Sequence, residues 1–294
     1  MRPLVSERNE GLIFQQPGGM HMPTVEQAFQ QFVEGFKIPG DYEDLASDRS
    51  EQLKHFLKKE IGVNEVFWGG SYRRGTSMDL DSIKLHVVLS PKYFYNCQKN
   101  SRKMLNFLRT TMSGEYANVK PGKSGQVLTV KFSGRPHLDL IPSLKLTNGN
   151  FLIPNGIGGW FKSNPATQQT IFDGKEGDSS GKFKNLVKTI KAWNNNLGMP
   201  FNSYFLELLT YYRANDFSKS YADLVISLFY SMILFLPEFL SCPAVKAPVS
   251  LGDPAGVNEK IEEAHGISSR ALNEKDSHKA IALWKTLLGE GFGG

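Results

Sequence analysis

Cysteine is scarce: Cys97 and Cys242 are the only two in 294 residues. Two thiols cannot make a disulfide framework, and their wide separation is not that of paired metal ligands. Both read as reduced thiols of a cytoplasmic protein. Long apolar runs are also missing. The longest stretch, residues 224–236, is interrupted by Ser227 and Ser231 and meets Pro237, so it reads as a buried helix and no membrane partner is expected. The opening MRPLVSERNE lacks the charged-then-apolar pattern of a signal peptide. The six histidines include no HExxH, and no GxSxG occurs, which leaves metalloprotease and serine hydrolase chemistry without support. With 21% charged and 40% hydrophobic residues, the composition excludes a disordered or fibrous chain. What is present is a basic excess, net charge +5 and pI about 9.0, which suits a polyanionic ligand without telling nucleotide from nucleic acid.

The pattern predicts an α+β protein of two lobes, a mixed sheet with helices packed on a C-terminal helical lobe. The expected divisions are an arm at 1–22, a core lobe with N-terminal helices at 23–155 and a helical lobe at 156–294. Thr24 is placed to cap a helix through Val25, Phe29, Phe32 and Phe36, and residues 47–59 and 99–113 carry helical spacing. Strands are expected at 65–68, 83–89, 127–132 and 137–141. Beyond Lys182 the helical segments are 183–193, 203–215, 220–236, 257–266 and 277–288. The glycine-rich stretch 173–181 reads as a surface loop.

Chemistry concentrates in residues 68–89, WGGSYRRGTSMDLDSIKLHVVL. A strand runs into Gly69-Gly70-Ser71 and a helix start. Glycines let backbone approach a phosphate, and helix-start N–H groups with a serine hydroxyl can hold it. A plain tight turn has the same sequence requirements. Arg73, Arg74 and Thr76 add cations and a hydroxyl. Asp79 and Asp81, one residue apart at the edge of a strand, would share a face there. With Asp139 from HLDLIPS on another strand, they could bind two Mg²⁺ or Mn²⁺ ions that align a triphosphate.

The turn, the acidic pair and the later hydrophobic-Asp-hydrophobic strand resemble the nucleotidyltransferase superfamily of DNA polymerase β. HLDLIPSLKLTNGNFLIPNGIGGWFKSNP, FKNLVKTIKAWNNN, FNSYFLELL, GDPAG and IALWKTLLGEGF narrow the resemblance to the bacterial cGAS/DncV-like nucleotidyltransferases, or CD-NTases, which are similar to 2′-5′-oligoadenylate synthetases. It spans roughly residues 45–290. The resemblance implies a bilobed fold and the joining of NTPs into a cyclic di- or trinucleotide in bacterial antiphage signalling. It also implies a separate nucleotide-activated effector, with an RNA or protein activator as a further partner. Residue by residue, Gly70 and Ser71 match the phosphate turn, and Thr76 falls beside it. Asp139 matches the third metal carboxylate, Lys191 the lysine that reaches the triphosphate, Ser203 a phosphate contact and Tyr204 a base-stacking ring. Lys191 as a solvated helix charge and Tyr204 as core packing are the plainer alternatives. Trp160 and Trp193 read as core, and His86 and His137 as packing or hydrogen-bonding residues.

The acidic pair departs from the family spacing. Relatives carry Asp-Ile-Asp directly before Leu-His-Val-Val-Leu. Aligning LHVVL puts Ser82 and Lys84 on the two metal-ligand positions; the other register keeps Asp79 and Asp81 as ligands and shortens the preceding linker. An ammonium at residue 84 repels Mg²⁺ but can hold phosphate. Two other functions stay open: a catalytically inactive nucleotide- or RNA-binding pseudoenzyme of the same fold, and a linear oligonucleotide synthase. Tail-adding relatives carry further RNA-binding modules, for which the chain shows no room. Its basic residues are scattered without aromatic interleaving, the usual pattern of a solvated surface.

Overall fold

A computed structural model describes residues 23–63, 65–78, 82–122, 124–241 and 254–293. The expected arm at 1–22 and the pair Asp79 and Asp81 lie outside the described residues, as does Cys242. Two helices come first, α1 (Val25–Glu34) and α2 (Gly40–Ile61). Thr24 caps α1 in a complete capping box with Gln27, satisfying helix-start N–H groups. Gly62 ends α2 in the left-handed conformation that glycine adopts without a Cβ penalty.

A mixed sheet follows: β1 (Glu65–Gly69), β2 (Ser82–Val88), β3 (Val119–Pro121), β4 (Leu128–Val130), β5 (His137–Lys145), β6 (Phe151–Pro154) and β7 (Trp160–Ser163). Helix α3 (Gly70–Arg73) joins β1 to β2, and α4 (Ser101–Met112) joins β2 to β3. The strand order is β1-β2-β5-β4-β3, with β6 pairing β5 and β7 pairing β6. Only β2 and β5 of these neighbours run parallel. Strand periodicity sorts β2 into two faces. Ile83, Leu85 and Val87 enter one core with Leu138 and Leu140 of β5, Leu53 and Leu57 of α2, and Met104 and Leu108 of α4. Ser82, Lys84 and His86 alternate with them and face the other side, so one short run both seals a core and presents polar groups.

Among the described residues six helices follow: α5 (Pro165–Asp178), α6 (Lys182–Asn196), α7 (Ser203–Arg213), α8 (Tyr221–Ser241), α9 (Pro254–Asn273) and α10 (Ser277–Leu288). Their core centres on Trp193, Phe229 and Trp284, all fully buried. The apolar stripe of α1 belongs to this core rather than to the sheet: Phe29 meets Trp284 edge-on at 5.0 Å and Phe292 at 4.8 Å. Each such ring withdrawn from water contributes about 1.5–3 kcal/mol.

Two features differ from the expectations. Residues 173–178 are helical, not a loop. Asn164 and Pro165 start α5, and Phe172 anchors it in the core, which outweighs about 1 kcal/mol of helix penalty at each of Gly174 and Gly177. The actual turn is confined to 179–181, with Ser180 and Gly181 at positive φ. Strand β7 lies beyond residue 156 and pairs with β6, so strand structure extends past the point where helical periodicity was expected to take over. Trp160 on β7 donates its indole N–H to the Gln98 carbonyl at 3.1 Å, and Trp193 is sealed in the helical core. No described helix is long and apolar enough to cross a membrane.

Candidate active site

One row of backbone pairing crosses the sheet and gathers most of the chemistry. Gly69 pairs with Lys84, Lys84 with Asp139, and Asp139 with Thr129. Paired residues share a pleat, so the Lys84, Asp139 and Thr129 side chains leave the same face. Asp139 accepts hydrogen bonds on both oxygens: from Ser82 Oγ at 3.0 Å and from Thr129 Oγ1 at 2.5 Å. A cleft of about 440 Å³ opens over this row, lined by Ser82, Lys84, Thr129, Lys131, Arg135, His137 and Asp139 among others. His137 is half-buried and accepts the Phe132 backbone N–H on Nδ1 at 3.3 Å.

The glycines of the turn are required by close approach. A Cβ on Gly69 would lie 2.6 Å from His86 Cδ2. Gly70 sits at φ +63°, and a Cβ there would lie 2.9 Å from Lys84 Cδ. The stem of Lys84 therefore rests on the turn, while its residue is exposed and makes no hydrogen bond or ion pair with the described residues. Ser71 is half-buried, and its carbonyl accepts the Thr76 N–H at 2.9 Å, which closes the turn.

A second cluster lies behind the turn, and its centre went unnoticed in the sequence. Glu207 of α7 is completely buried. Its Oε2 accepts Arg74 Nε at 2.7 Å, and its Oε1 accepts Thr76 Oγ1 at 2.7 Å and Lys191 Nζ at 2.6 Å. Lys191 also donates to the Thr76 carbonyl at 2.9 Å. Arg74 lies over the Tyr204 ring at 5.2 Å and reaches Gln168 Oε1 at 3.3 Å. Burial alone would push the Glu207 carboxyl up, but Lys191 and Arg74, with the hydrogen bonds from Lys191 and Thr76, hold it below the usual glutamate range. Burial likewise draws the Lys191 ammonium down, with Glu207 opposing. The only available signal was a lone acid inside Leu206–Leu209, an apolar helix run where an unpaired charge would be very costly.

The site residues named from sequence thus fall into groups. Gly70, Ser82, Lys84 and Asp139 come together, with Ser71 in the adjoining turn. Thr76, Lys191 and Tyr204 gather around Arg74 and Glu207. Ser203 is exposed at the start of α7, after the Asn202 cap. A divalent-metal pair fits the described residues poorly. They supply one carboxylate, Asp139, with both oxygens engaged and a lysine on the paired strand position, and no three His, Cys, Asp or Glu side chains converge among them. Lys84, Lys131 and Arg135 suit phosphate instead.

His86 adds a pH dependence. It is 3% exposed and stacks on Phe67 at 4.8 Å. The Ser143 hydroxyl donates to the Ile141 carbonyl, so His86 Nδ1 carries the proton and donates to Ser143 Oγ at 2.8 Å. Burial, then Arg73 and Arg74, lowers its pKa from 6.5 to about 4. Between those values the unfolded chain binds a proton that the folded chain refuses. The stability that His86 confers is complete above pH 6.5 and is lost as pH falls toward 4, about 3 kcal/mol in all. Urea unfolding at pH 7 and pH 4.5 checks this: His86→Gln should flatten the pH dependence, and equal slopes in both proteins would exclude His86 as its source.

A mixed sheet packed with helices, a glycine-serine turn after the first strand and an acid on β5, two strands over, match a nucleotidyltransferase fold. Residues 22–175 match the model of the Second Messenger Oligonucleotide or Dinucleotide Synthetase domain, and the chain belongs to that family of bacterial CD-NTases. It is 25% identical over 315 aligned positions to a cyclic AMP-AMP-AMP synthase from Acinetobacter sp., covering 94% of this chain and 87% of that protein. The fold is similar to E. coli CdnC solved with ATP: TM-score 0.74, 17% identity, 93% of this chain and all of that one. Bradyrhizobium diazoefficiens CdnG solved with GTP gives TM-score 0.69 and 11% identity over 92% of this chain and 97% of that one. E. coli CdnC in complex with a HORMA protein gives TM-score 0.72 and 16% identity over 92% of this chain and 98% of that one.

Proposed function

We propose that this chain binds nucleoside triphosphates, ATP foremost, in the cleft over β2 and β5 and acts as a synthase of a cyclic di- or trinucleotide second messenger. What supports this reading is the pairing row Gly69–Lys84–Asp139, which brings the glycine-serine turn and Asp139 onto strands that flank β2. The relative that makes cyclic AMP-AMP-AMP favours adenine nucleotides. Cytoplasmic antiphage signalling through a separate nucleotide-activated effector belongs to the same reading. In binding, Ser71 and the turn would take terminal phosphate oxygens, Lys84 would neutralise them from beneath, and Tyr204 would stack on a base.

A second reading is favoured by one observation: Lys84 stands on the strand position level with Asp139, where the resemblance puts a metal-binding carboxylate. The chain then holds nucleotide or RNA on protein cations without joining nucleotides. Incubation with radiolabelled NTPs and Mg²⁺ or Mn²⁺, followed by phosphatase, separates the two. A phosphatase-resistant product of ring form supports synthesis. ATP binding that keeps its affinity within about twofold when EDTA replaces Mg²⁺, with no product, supports the second reading. Absence of both product and nucleotide binding would sink both.

A further inference from the structure

We infer that Glu207 is a positioning residue for the phosphate-binding turn, acting through Arg74 and Thr76. The inference rests on the nucleotide-binding reading of that turn and names what holds it in shape. Arg74 and Thr76 follow Gly70-Ser71 within a few residues, and the Ser71 carbonyl accepts the Thr76 N–H, so the turn's return path ends at Thr76. Short-range contacts hold it to β1: Arg73 Nη1 donates to the Trp68 carbonyl at 3.4 Å and its guanidinium lies over the Phe67 ring at 5.3 Å. Helix α3 is a single turn.

Glu207 adds the long-range anchor. Its carboxylate takes Arg74 on one oxygen, and Thr76 and Lys191 on the other. Arg74 is braced against the Tyr204 ring at 5.2 Å and the Phe172 ring at 5.6 Å. The partners come from the turn segment, α5, α6 and α7, so one buried carboxylate ties the turn to three helices of the other core. Glu207 and Thr76 are fully buried, Lys191 is 5% exposed and Arg74 7%. Glu207 and Thr76 therefore cannot touch a ligand in this arrangement. Their influence passes through the backbone of residues 70–76. A displacement of that backbone by about 1 Å is enough to spoil phosphate geometry.

The function of the anchor differs from simple structural support in what it discriminates. Terminal phosphates feel the turn; AMP, which lacks them, does not. The test is calorimetric titration of the wild-type chain, Glu207→Gln and Thr76→Val with ATP and with AMP, in magnesium-containing buffer at a temperature where circular dichroism shows each protein folded. Glu207→Gln should lower the ratio of ATP to AMP affinity by about tenfold. Thr76→Val, which removes only one hydroxyl and keeps both ion pairs, should lower it less, in the same direction. If Glu207→Gln does not fold, the Thr76→Val ratio decides alone. An unchanged ratio, with both nucleotides bound as in wild type or weakened equally, overturns the inference and leaves nucleotide binding standing. A wild-type chain that binds no ATP removes the reading of the turn and this inference with it.

Discussion

Glu207→Leu destabilises the folded chain by about 3–5 kcal/mol, read as a shift of the urea unfolding transition. The substitution leaves Arg74 and Lys191 buried with no counter-charge, 7% and 5% exposed respectively. The loss comes chiefly from those two stranded cations, because a buried ion pair gains little over apolar replacements when it is intact. Replacing the whole cluster separates the two effects. Arg74→Met, Lys191→Met and Glu207→Leu together should recover most of the stability, since no charge is then stranded. A triple variant as unstable as Glu207→Leu alone would show that the ionic contacts themselves stabilise the fold. Acid should act in the same direction as the single variant. The folded carboxyl titrates below the unfolded value of 4.5, so its contribution is intact above that pH and is lost as pH falls through the lower, folded value.

Much of the fold was legible because its signals are local. SIKLHVV alternates, and β2 forms with its apolar residues inward. The capping box at Thr24 starts α1 where its pattern begins. What was not legible depends on partners far along the chain. Residues 173–178 of α5 look like a loop until Phe172, just before them, is given its place against Phe183 and Tyr211. Strands β3, β6 and β7 have three or four residues each, too few for a periodicity to declare itself. The site divides in the same way. Lys84 and Asp139 each stood out in the sequence. Their level placement is a property of the β2–β5 register, between residues 55 positions apart in the chain. Glu207 meets Arg74 across 133 positions, and no local rule connects them. An acid within an apolar helix run announces that partners exist without naming them.

The largest effect on activity is expected at Ser82 and Lys84. The joint variant Ser82→Asp with Lys84→Asp should show Mg²⁺-dependent incorporation of labelled nucleotide on the order of 10³-fold above the unaltered chain. The physical reason is charge. Lysine to aspartate changes the local charge by two units and serine to aspartate by one, three in all. Around Asp139 that replaces one acid and a lysine on the paired position with three acids on one face of two adjacent strands. The β2–β5 register fixes their spacing: residues 82 and 84 share the cleft face, and residue 84 is level with Asp139. Three carboxylates so placed make a donor set for divalent cations, which one carboxylate with both oxygens already bonded to hydroxyls does not. Phosphate binding should shift in parallel, since Lys84 rests on the Gly70 turn and its loss removes a cation from the cleft floor. ATP affinity measured in EDTA should therefore fall in the double variant while affinity in Mg²⁺ holds or rises. If the unaltered chain already incorporates nucleotide as fast as the double variant, the carboxylates come from elsewhere, and Asp79 and Asp81 are the residues to replace with asparagine next. If neither protein incorporates nucleotide but both bind ATP, the cleft is a binding site and the reading as a nucleotide-holding pseudoenzyme is the one that survives.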